Sequence, residues 1–317
     1  MKLVIGPTIL WLALCTTLAH AENPPSYLGQ WGSYGTGPGQ FNYPTDMAVD
    51  AQGNIYVCDY GSHRTQKFDA QGNFLTAWGD NLHGMISITI GASGDIFVTD
   101  QANHQVRRFS PDGTLRLVWG SRGHDPGQFD TPAGIAACPD GRIYVVDQYN
   151  QRVQVFDENG TYLFHWGSIG LFAAPRCIAL APGGNVYVSQ RDEILVFDHN
   201  GAYLFRWGAR GVGMGYLHEP DGIAVDAAGN VLVADTGNAK IQKFTAAGTF
   251  LTQWGTPGTG NGELNRPWGI TVALDGTILV TDQSNHRIQR FGYAPTPALA
   301  TSWGRLKHGY RGEAGDK

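Results

Sequence analysis

The sequence predicts an all-β protein, a six-bladed β-propeller of four-stranded antiparallel blades. Three observations support this fold class. A Trp-Gly pair recurs seven times, at intervals of 41 to 49 residues. Each interval holds four short runs rich in β-branched and aromatic residues, separated by turn residues. Glycine makes up 44 of the 317 residues while only 15% are charged, a composition typical of many short strands joined by tight turns.

The Trp-Gly pairs divide the chain into six units. Their tryptophans are Trp31, Trp78, Trp119, Trp166, Trp207, Trp254 and Trp303, at successive spacings of 47, 41, 47, 41, 47 and 49 residues. Four strands in each repeat of roughly 40 to 50 residues is the pattern of a propeller blade. No segment keeps a 3.6-residue hydrophobic period, so we expect negligible helix.

Each unit repeats the same order of strands and turns. The first unit has its four runs at 44–50, 53–59, 64–68 and 72–78, and the fifth has them at 220–226, 229–235, 240–244 and 248–254. Pairs such as Gly53-Asn54 and Asn159-Gly160 favour hairpins between the runs. The second run, for example Ile55-Tyr56-Val57, is continuously apolar, which indicates a strand covered on both faces.

The consensus of these units reads Pro-x-Gly-Ile-Ala-Val-Asp, Gly-Asn-Ile-Tyr-Val-x-Asp, Asn-His-Arg-Ile-Gln-x-Phe, and residues 267–291 follow it closely. This pattern resembles the NHL repeat, and the resemblance covers residues 27–304. It implies a six-bladed propeller. It says little about activity, because the same scaffold carries unrelated functions.

Two segments have the pattern of the fourth strand that completes blade six. One is residues 27–31 and the other is residues 299–303. Only one is needed, and the resemblance favours the N-terminal segment as the strand that closes the ring. A closed ring leaves no free sheet edge. We therefore assign the propeller to residues 22–304 and a flexible tail to residues 305–317.

The N-terminus has the features of a secretory signal. Lys2 precedes an apolar stretch, and Ala19-His20-Ala21 forms a small-x-small cleavage site, so residues 1–21 are predicted to be removed. An uncleaved N-terminal anchor is the alternative. We expect a secreted or periplasmic, monomeric protein with no membrane span after cleavage. Its net charge of about −6 without Lys2 argues against nucleic acid as a partner.

Three cysteines remain after cleavage: Cys58, Cys138 and Cys177. Their number is odd and their spacing fits neither a CxxC pair nor a zinc ribbon. Cys138 and Cys177 fall about a strand length apart, roughly 15 Å, which is too far for a disulfide. We interpret all three as buried, unpaired thiols.

The candidate ligand site is the mouth of the central channel. One variable residue follows the start of each first strand, namely Thr45, Ile86, Ala133, Arg176, Asp221 and Trp268. A second set follows each second strand, namely Tyr60, Gln101, Gln148, Arg191, Thr236 and Gln283. From these, the predicted ligand-binding residues are Thr45, Tyr60, Arg176, Arg191, Asp221 and Trp268, which combine cations, a carboxylate and aromatic rings. Solvation of a channel mouth by varied side chains is the alternative.

Other repeated residues are interpreted as structural. One aspartate ends the second strand in five units, where it is placed to cap a turn: Asp59, Asp100, Asp147, Asp235 and Asp282. Histidines recur at the start of the third strand as His63, His104 and His286, too far from the axis to converge on one ion. The glycine-rich segments 35–39 and 211–215 lack the Lys-Ser/Thr and the helix of a phosphate loop.

These observations favour a binding scaffold for a protein, a peptide or a small anionic ligand, with no cofactor. A lyase or hydrolase is the alternative. Pro44-Thr45-Asp46, Tyr60 and Arg191 resemble the peptidyl-hydroxyglycine amidating lyases, which are NHL propellers with a catalytic zinc, but the slots of their zinc histidines hold no histidine here. A calcium-dependent sugar lactonase and an RNA-binding NHL module fit less well. Zinc or calcium is expected only if the protein is an enzyme.

Overall fold

In the computed structural model the described residues are 22–79, 82–167 and 170–293. The predicted signal sequence, the candidate closing strand at 299–303 and the predicted tail lie outside these ranges. Regular structure in the described residues is β-strand, apart from three single-turn 3₁₀ helices at Tyr60–Ser62, Thr236–Asn238 and Gln283–Asn285. Within the same residues, no helix has the length and apolarity required to cross a bilayer.

Six four-stranded antiparallel sheets are arranged as blades, which confirms the predicted fold class. The chain enters through β1 (Ser26–Trp31). Blade one is β2 (Pro44–Val49), β3 (Ile55–Asp59), β4 (Arg64–Phe68) and β5 (Phe74–Trp78). Blade two is β6 (Met85–Ile90), β7 (Ile96–Asp100), β8 (Gln105–Phe109) and β9 (Leu115–Trp119). Blade three is β10 (Pro132–Ala137), β11 (Arg142–Asp147), β12 (Arg152–Asp157) and β13 (Tyr162–Trp166).

The remaining blades follow the same order. Blade four is β14 (Pro175–Leu180), β15 (Val186–Gln190), β16 (Glu193–Phe197) and β17 (Tyr203–Trp207). Blade five is β18 (Ile223–Val225), β19 (Val231–Asp235), β20 (Lys240–Phe244) and β21 (Phe250–Trp254). Blade six is β22 (Pro267–Val272), β23 (Ile278–Asp282), β24 (Arg287–Gly292) and, as its outer strand, β1.

The N-terminal segment closes the ring. Strand β1 pairs antiparallel with β24, with Ser26 opposite Gly292 and Trp31 opposite Ile288. Of the two candidate closing segments, it is therefore the one at residues 27–31 that completes blade six, as the resemblance favours. The first and last strands of the described fold share one sheet, so the ring is closed by hydrogen bonds between them.

The first strand of each blade surrounds the central axis. Strands β2, β6, β10, β14, β18 and β22 contact one another in that order, and β22 contacts β2 again. Their apolar side chains line an axial channel, for example Val49, Ile90 and Val272. Because the starts of these six strands all lie at one end of the channel, the residues there are brought together at a single mouth.

The repeated tryptophans lie between blades, as their spacing predicts. Each of the six described tryptophans of the Trp-Gly pairs contacts the phenylalanine at or next to the end of the third strand of the next blade, for example Trp31 with Phe68 at a ring-centroid distance of 6.0 Å. Trp166 is 8% exposed and lies against Phe197 at 5.9 Å. A Cβ atom on Gly201 would overlap the Trp166 ring, so the hairpin glycine of the next blade is required at this contact.

The repeated aspartates are structural, but not as the turn caps that we predicted: Asp59, Asp235 and Asp282, which precede the 3₁₀ helices, make no side-chain capping hydrogen bond there. All five are fully buried. Each accepts a hydrogen bond from the backbone N–H of the residue 17 positions earlier, as Asp59 does from Asn42 at 2.6 Å. In blade four Gln190 takes the place of the aspartate and its Oε1 accepts from Ala173 N at 2.7 Å. These bonds attach the turn after each second strand to the loop that leads into the blade.

The three cysteines of the described chain are free. Cys58 is buried in β3, as predicted, and this burial raises the pKa of its thiol. Cys138 and Cys177 are partly exposed, so the prediction that all three are buried is wrong for these two. Cys177 is accessible because it lines the channel, and Cys138 because it follows the end of β10 in a turn.

Candidate functional site

A cavity of about 480 Å³ opens at the mouth of the channel. It is lined by all six residues that the sequence places at the mouth from the first strands, although Asp221 lies just before β18: Thr45, Ile86, Ala133, Arg176, Asp221 and Trp268. Tyr60, Gln101, Gln148 and Gln283, from the loops after the second strands, also line it. Five of the six predicted site residues thus share one cavity: Thr45, Tyr60, Arg176, Asp221 and Trp268. That they bind a ligand remains a prediction.

Arg191 does not line this cavity. The sequence alignment places it in the slot that Tyr60 occupies in blade one, but blade four joins β15 to β16 by a two-residue turn, Arg191-Asp192, where blade one has four residues. Arg191 therefore takes a left-handed conformation with φ of 39°, and its side chain is exposed. The structure therefore does not bring Arg191 together with Arg176 and the other predicted site residues at this cavity.

Arg176 and Asp221 form the charged wall of the cavity. The guanidinium Nη1 of Arg176 donates to Oδ1 of Asp221, whose side chain is 1% exposed while that of Arg176 is 33% exposed. Burial acts to lower the pKa of Arg176, but the interaction with Asp221 outweighs it and raises that pKa. Asp221 therefore holds a charged guanidinium in a fixed orientation at the cavity surface. Its second oxygen, Oδ2, is buried without a hydrogen-bond partner in the described structure.

Aromatic rings form an adjacent wall. Trp268 is partly exposed, and the guanidinium of Arg266 lies 6.0 Å from its ring centroid. Tyr43 and Tyr60 are 46% and 39% exposed. Such amphipathic rings bury large areas at low entropic cost and are common in binding sites. The charged wall is thus joined by an apolar one, a combination that suits a ligand with an anionic group and an apolar body.

The described histidines near the mouth have structural partners. His286 Nδ1 accepts from the backbone N–H of Tyr43 at 3.1 Å, and the two rings lie 4.7 Å apart. His104 Nδ1 accepts from Thr131 N at 3.0 Å, and the ring of His63 contacts that of His83 at 5.1 Å. Across residues 22–79, 82–167 and 170–293, no three His, Cys, Asp or Glu side chains come close enough to hold a metal ion.

Below the mouth lies a second ring of residues, here called the neck, that the sequence prediction missed. The neck is formed by the residues that directly follow those six mouth residues: Asp46, Ser87, Gly134, Cys177, Gly222 and Gly269. The signal was present in the sequence, because the repeat places glycine here and only units one, two and four depart from it. Asp46, Ser87 and Cys177 line both the mouth cavity and the channel beneath it.

Asp46 is the titratable acid of the neck. Its Oδ1 accepts from Met47 N at 2.8 Å, and its Oδ2 accepts from Ser87 Oγ at 2.6 Å and from Ile88 N at 3.2 Å. Burial raises the pKa of Asp46 to about 6, although these hydrogen bonds lower it. The site therefore contains a carboxyl group that changes charge near neutral pH.

Comparison with known proteins agrees with the repeat pattern. The NHL repeat family model matches residues 41–68, 129–156, 217–244 and 264–291. NHL repeat-containing protein 3 of Mus musculus is 46% identical over 48 residues, which are 15% of this chain and 14% of that protein. Protein brain tumor of Drosophila melanogaster is 41% identical over 54 residues, 17% of this chain and 5% of that protein. The similarity thus spans a small part of either relative.

Several solved structures share the fold. Streptogramin B lyase superimposes with a TM-score of 0.62 and 15% identity, over 84% of this chain and 98% of that one. A gluconolactonase from Xanthomonas campestris gives 0.64 and 16%, over 86% and 99%. An auxiliary nutrient binding protein from Bacteroides thetaiotaomicron gives 0.63 and 16%, over 80% and 70%. At these identities the likeness shows the fold alone.

Proposed function

Since the chain belongs to the NHL-repeat β-propellers, we propose that it is a binding protein that holds an anionic group of a peptide, protein or small-molecule ligand in the cavity at the channel mouth. The observation that carries this proposal is the orientation of Arg176. The buried Asp221 holds the charged guanidinium in one orientation, and a third of the Arg176 side chain remains exposed in a concave site. A preorganised guanidinium can bind a carboxylate or phosphate through charge-assisted hydrogen bonds.

The rest of the cavity supports the same function. Its volume of about 480 Å³ lies within the range of small-molecule sites, roughly 300 to 1,000 Å³. Arg266 supplies a second exposed cation beside Trp268. Tyrosine, tryptophan and arginine are also the residue types that contribute most at protein interfaces, so a segment of a partner protein is a suitable ligand. An auxiliary nutrient binding protein shares this scaffold, which supports a binding role.

Substitutions of two arginines of blade four test the proposed site. We predict that Arg176→Ala weakens the binding of anions roughly ten- to hundredfold, because a charge-assisted hydrogen bond is worth about 1.5–3 kcal/mol. Arg191→Ala is the matched control and leaves affinity unchanged, because Arg191 does not line the cavity. Calorimetric titration with benzoate, phenyl phosphate and N-acetyl-Gly-Phe gives the measurement. Equal affinity of both variants and the wild type, with folding intact, would place the site elsewhere.

Export is part of the proposal. The predicted cleavage after Ala21 would make Glu22 the first residue of a secreted or periplasmic monomer. Glu22 already belongs to the propeller: its backbone N–H donates to Leu251 O at 3.1 Å, and its carboxylate contacts Lys243 Nζ at 2.7 Å. Sequencing the N-terminus of the protein recovered from the medium or periplasm tests this. A chain that retains residues 1–21 would contradict it.

A lyase or hydrolase activity is the second candidate function. Asp46 favours it, because a carboxyl group whose pKa lies near 6 is suited to general acid–base catalysis. Streptogramin B lyase and a gluconolactonase have the same fold. The test is to incubate wild type and Asp46→Asn with gluconolactone and with a peptidyl-hydroxyglycine, with and without added zinc or calcium. Turnover that requires Asp46 would establish an enzyme, and no turnover by the wild type would leave the binding function.

A further inference from the structure

The neck differs from blade to blade in a way that the fold does not require. Three of its six positions are glycines, and a Cβ atom there would press on the next blade: on Gly269 it would lie 2.6 Å from Thr45 O, and on Gly134 it would lie 2.7 Å from the Cα atom of Cys177. Glycine is therefore the residue that this close approach favours. Blade one instead carries Asp46 at this position, in contact with the cavity.

All the hydrogen-bond donors to Asp46 are neutral. They are two backbone N–H groups and the hydroxyl of Ser87. The buried aspartates of the second strands differ, because Asp59, Asp147 and Asp282 each accept from an arginine at 2.7 to 2.9 Å. Asp46 thus places a carboxylate at the cavity. None of its hydrogen-bond donors carries a positive charge that would balance it. A cationic ligand group would supply one.

Asp46 and Arg176 lie on opposite walls. Asp46 is in β2 of blade one and Arg176 is in β14 of blade four, and these two strands are three places apart in a ring of six. Trp268, in the blade next to blade one, lies between them on the cavity wall. The cavity therefore has a fixed cation on one side and a carboxylate on the other.

We propose that the ligand is dipolar, a short peptide whose carboxylate binds Arg176 and whose protonated amino group binds Asp46. This inference rests on the proposed function and adds to it the recognition of the ligand's amino group by Asp46. The carboxylate and the amino group at the two ends of a dipeptide match the two charges of the cavity, and an aromatic side chain can lie against Trp268. Acetylating the amino group removes the group that Asp46 would bind while keeping the one for Arg176.

The test uses three forms of one dipeptide: Gly-Phe, N-acetyl-Gly-Phe and Gly-Phe-amide, titrated calorimetrically at pH 7.5. We expect Gly-Phe to bind roughly ten- to hundredfold more tightly than either modified form. Asp46→Asn should bind Gly-Phe and N-acetyl-Gly-Phe equally, with the affinity of the wild type for N-acetyl-Gly-Phe. If wild type binds the free and acetylated peptides equally and Arg176→Ala weakens both, the dipolar ligand is excluded while the anion site stands. If Arg176→Ala weakens neither, the proposed function itself fails.

Titrations of the wild type at several pH values provide a readout that does not require Asp46→Asn to fold. Binding of Gly-Phe should weaken as the pH falls from 7.5 to 5, because Asp46 becomes neutral, whereas binding of N-acetyl-Gly-Phe should not. The other groups facing Asp46 are Ser87 and the thiols of Cys58 and Cys177, whose pKa values burial raises above 9, so they stay uncharged in this range. Any titration of Asp221 would affect both peptides alike. Parallel pH curves, or no binding of Gly-Phe at millimolar concentration, would overturn the inference.

Discussion

At the scale of single residues, buried carboxylates have two distinct roles in this protein. Asp147 is fully buried and is contacted by Arg152 Nε at 2.8 Å, Asn150 at 2.8 Å and Gln154 at 3.0 Å. Burial raises its pKa, and these donors lower it in part. Asp46 has a comparable number of donors but no cation among them. The first arrangement stabilises a turn, whereas the second leaves a charge for a ligand at the cost of stability.

The cost of ionising Asp46 predicts a pH-dependent effect of Asp46→Asn on stability. The pKa of about 6 in the folded protein exceeds the unfolded value of about 3.9, so the folded state binds the proton more tightly. The stability from this group is therefore full below the unfolded pKa and is lost as the pH rises through about 6. We expect the variant to be more stable than wild type by about 1–3 kcal/mol at pH 7.5, and by only about a third of that amount at pH 4.5. Urea unfolding at both pH values measures this, and an equal effect at both would contradict the raised pKa.

The position of a side chain in the fold could be predicted from the sequence where the repeat is regular, but not where a loop changes length. All six residues of the first predicted set lie at the mouth, because the first strands of a propeller all enter from the same end. Arg191 was misplaced because the turn of blade four is two residues shorter, which changes the backbone direction. The ion pair between Arg176 and Asp221 joins two residues of the predicted set. Asp46 was missed as a site residue although the repeat shows the signal, since units one, two and four depart from glycine at this position.

At the scale of elements, the residue that begins each third strand correlates with the length of the loop that leads into the blade, which is shorter before blades two and four. In blades one, three and six it is an arginine whose guanidinium donates to carbonyls of the loop that leads into the blade, as Arg64 does to Thr36 O at 2.7 Å and Gly37 O at 2.8 Å. Lys240 does the same in blade five. Blades two and four have Gln105 and Glu193 there. The four blades with the basic residue are also those that the NHL model matches.

The tryptophan between blades predicts a large loss of stability in Trp166→Ala. Trp166 contacts Tyr144 of its own blade at 5.9 Å and Phe197 of the next blade at 5.9 Å. Removing it should cost about 3–5 kcal/mol, the usual range for a buried tryptophan. Leu163→Ala on the same strand is the control, since Leu163 is 45% exposed, and it should cost less than about 0.5 kcal/mol. Denaturant midpoints measure both, and a loss below about 1 kcal/mol for Trp166→Ala would contradict the packing role.

At the scale of the whole molecule, the order of the chain makes closure depend on its two ends. Five blades are continuous in sequence, but blade six joins β22, β23 and β24 to the N-terminal β1. Glu22 extends this closure to blade five through Lys243 and Leu251. The number of blades and the strands of each could be predicted from the spacing of the tryptophans. The choice of closing strand could not be made from spacing alone, because residues 299–303 repeat the same pattern.

Removing the closing strand should therefore destabilise the ring as a whole. We expect a mature chain that starts at residue 32 to unfold at lower temperature and to aggregate, because β24 then presents an unpaired edge. Removal of residues 305–317 is the control and should have little effect. Thermal unfolding and size-exclusion chromatography give the readout. If the first truncation is as stable and monomeric as the mature protein, residues 299–303 can replace β1, and closure by β1 is not essential.

The central claim is that ligands bind at the channel mouth on the cation that Asp221 holds in place. A crystal structure of the protein with bound N-acetyl-Gly-Phe tests it most directly. The claim predicts the peptide carboxylate within about 3 Å of the Arg176 guanidinium and the phenyl ring against Trp268. A peptide bound to the outer strands or to the opposite face of the ring, with Arg176 still paired only to Asp221, would contradict it.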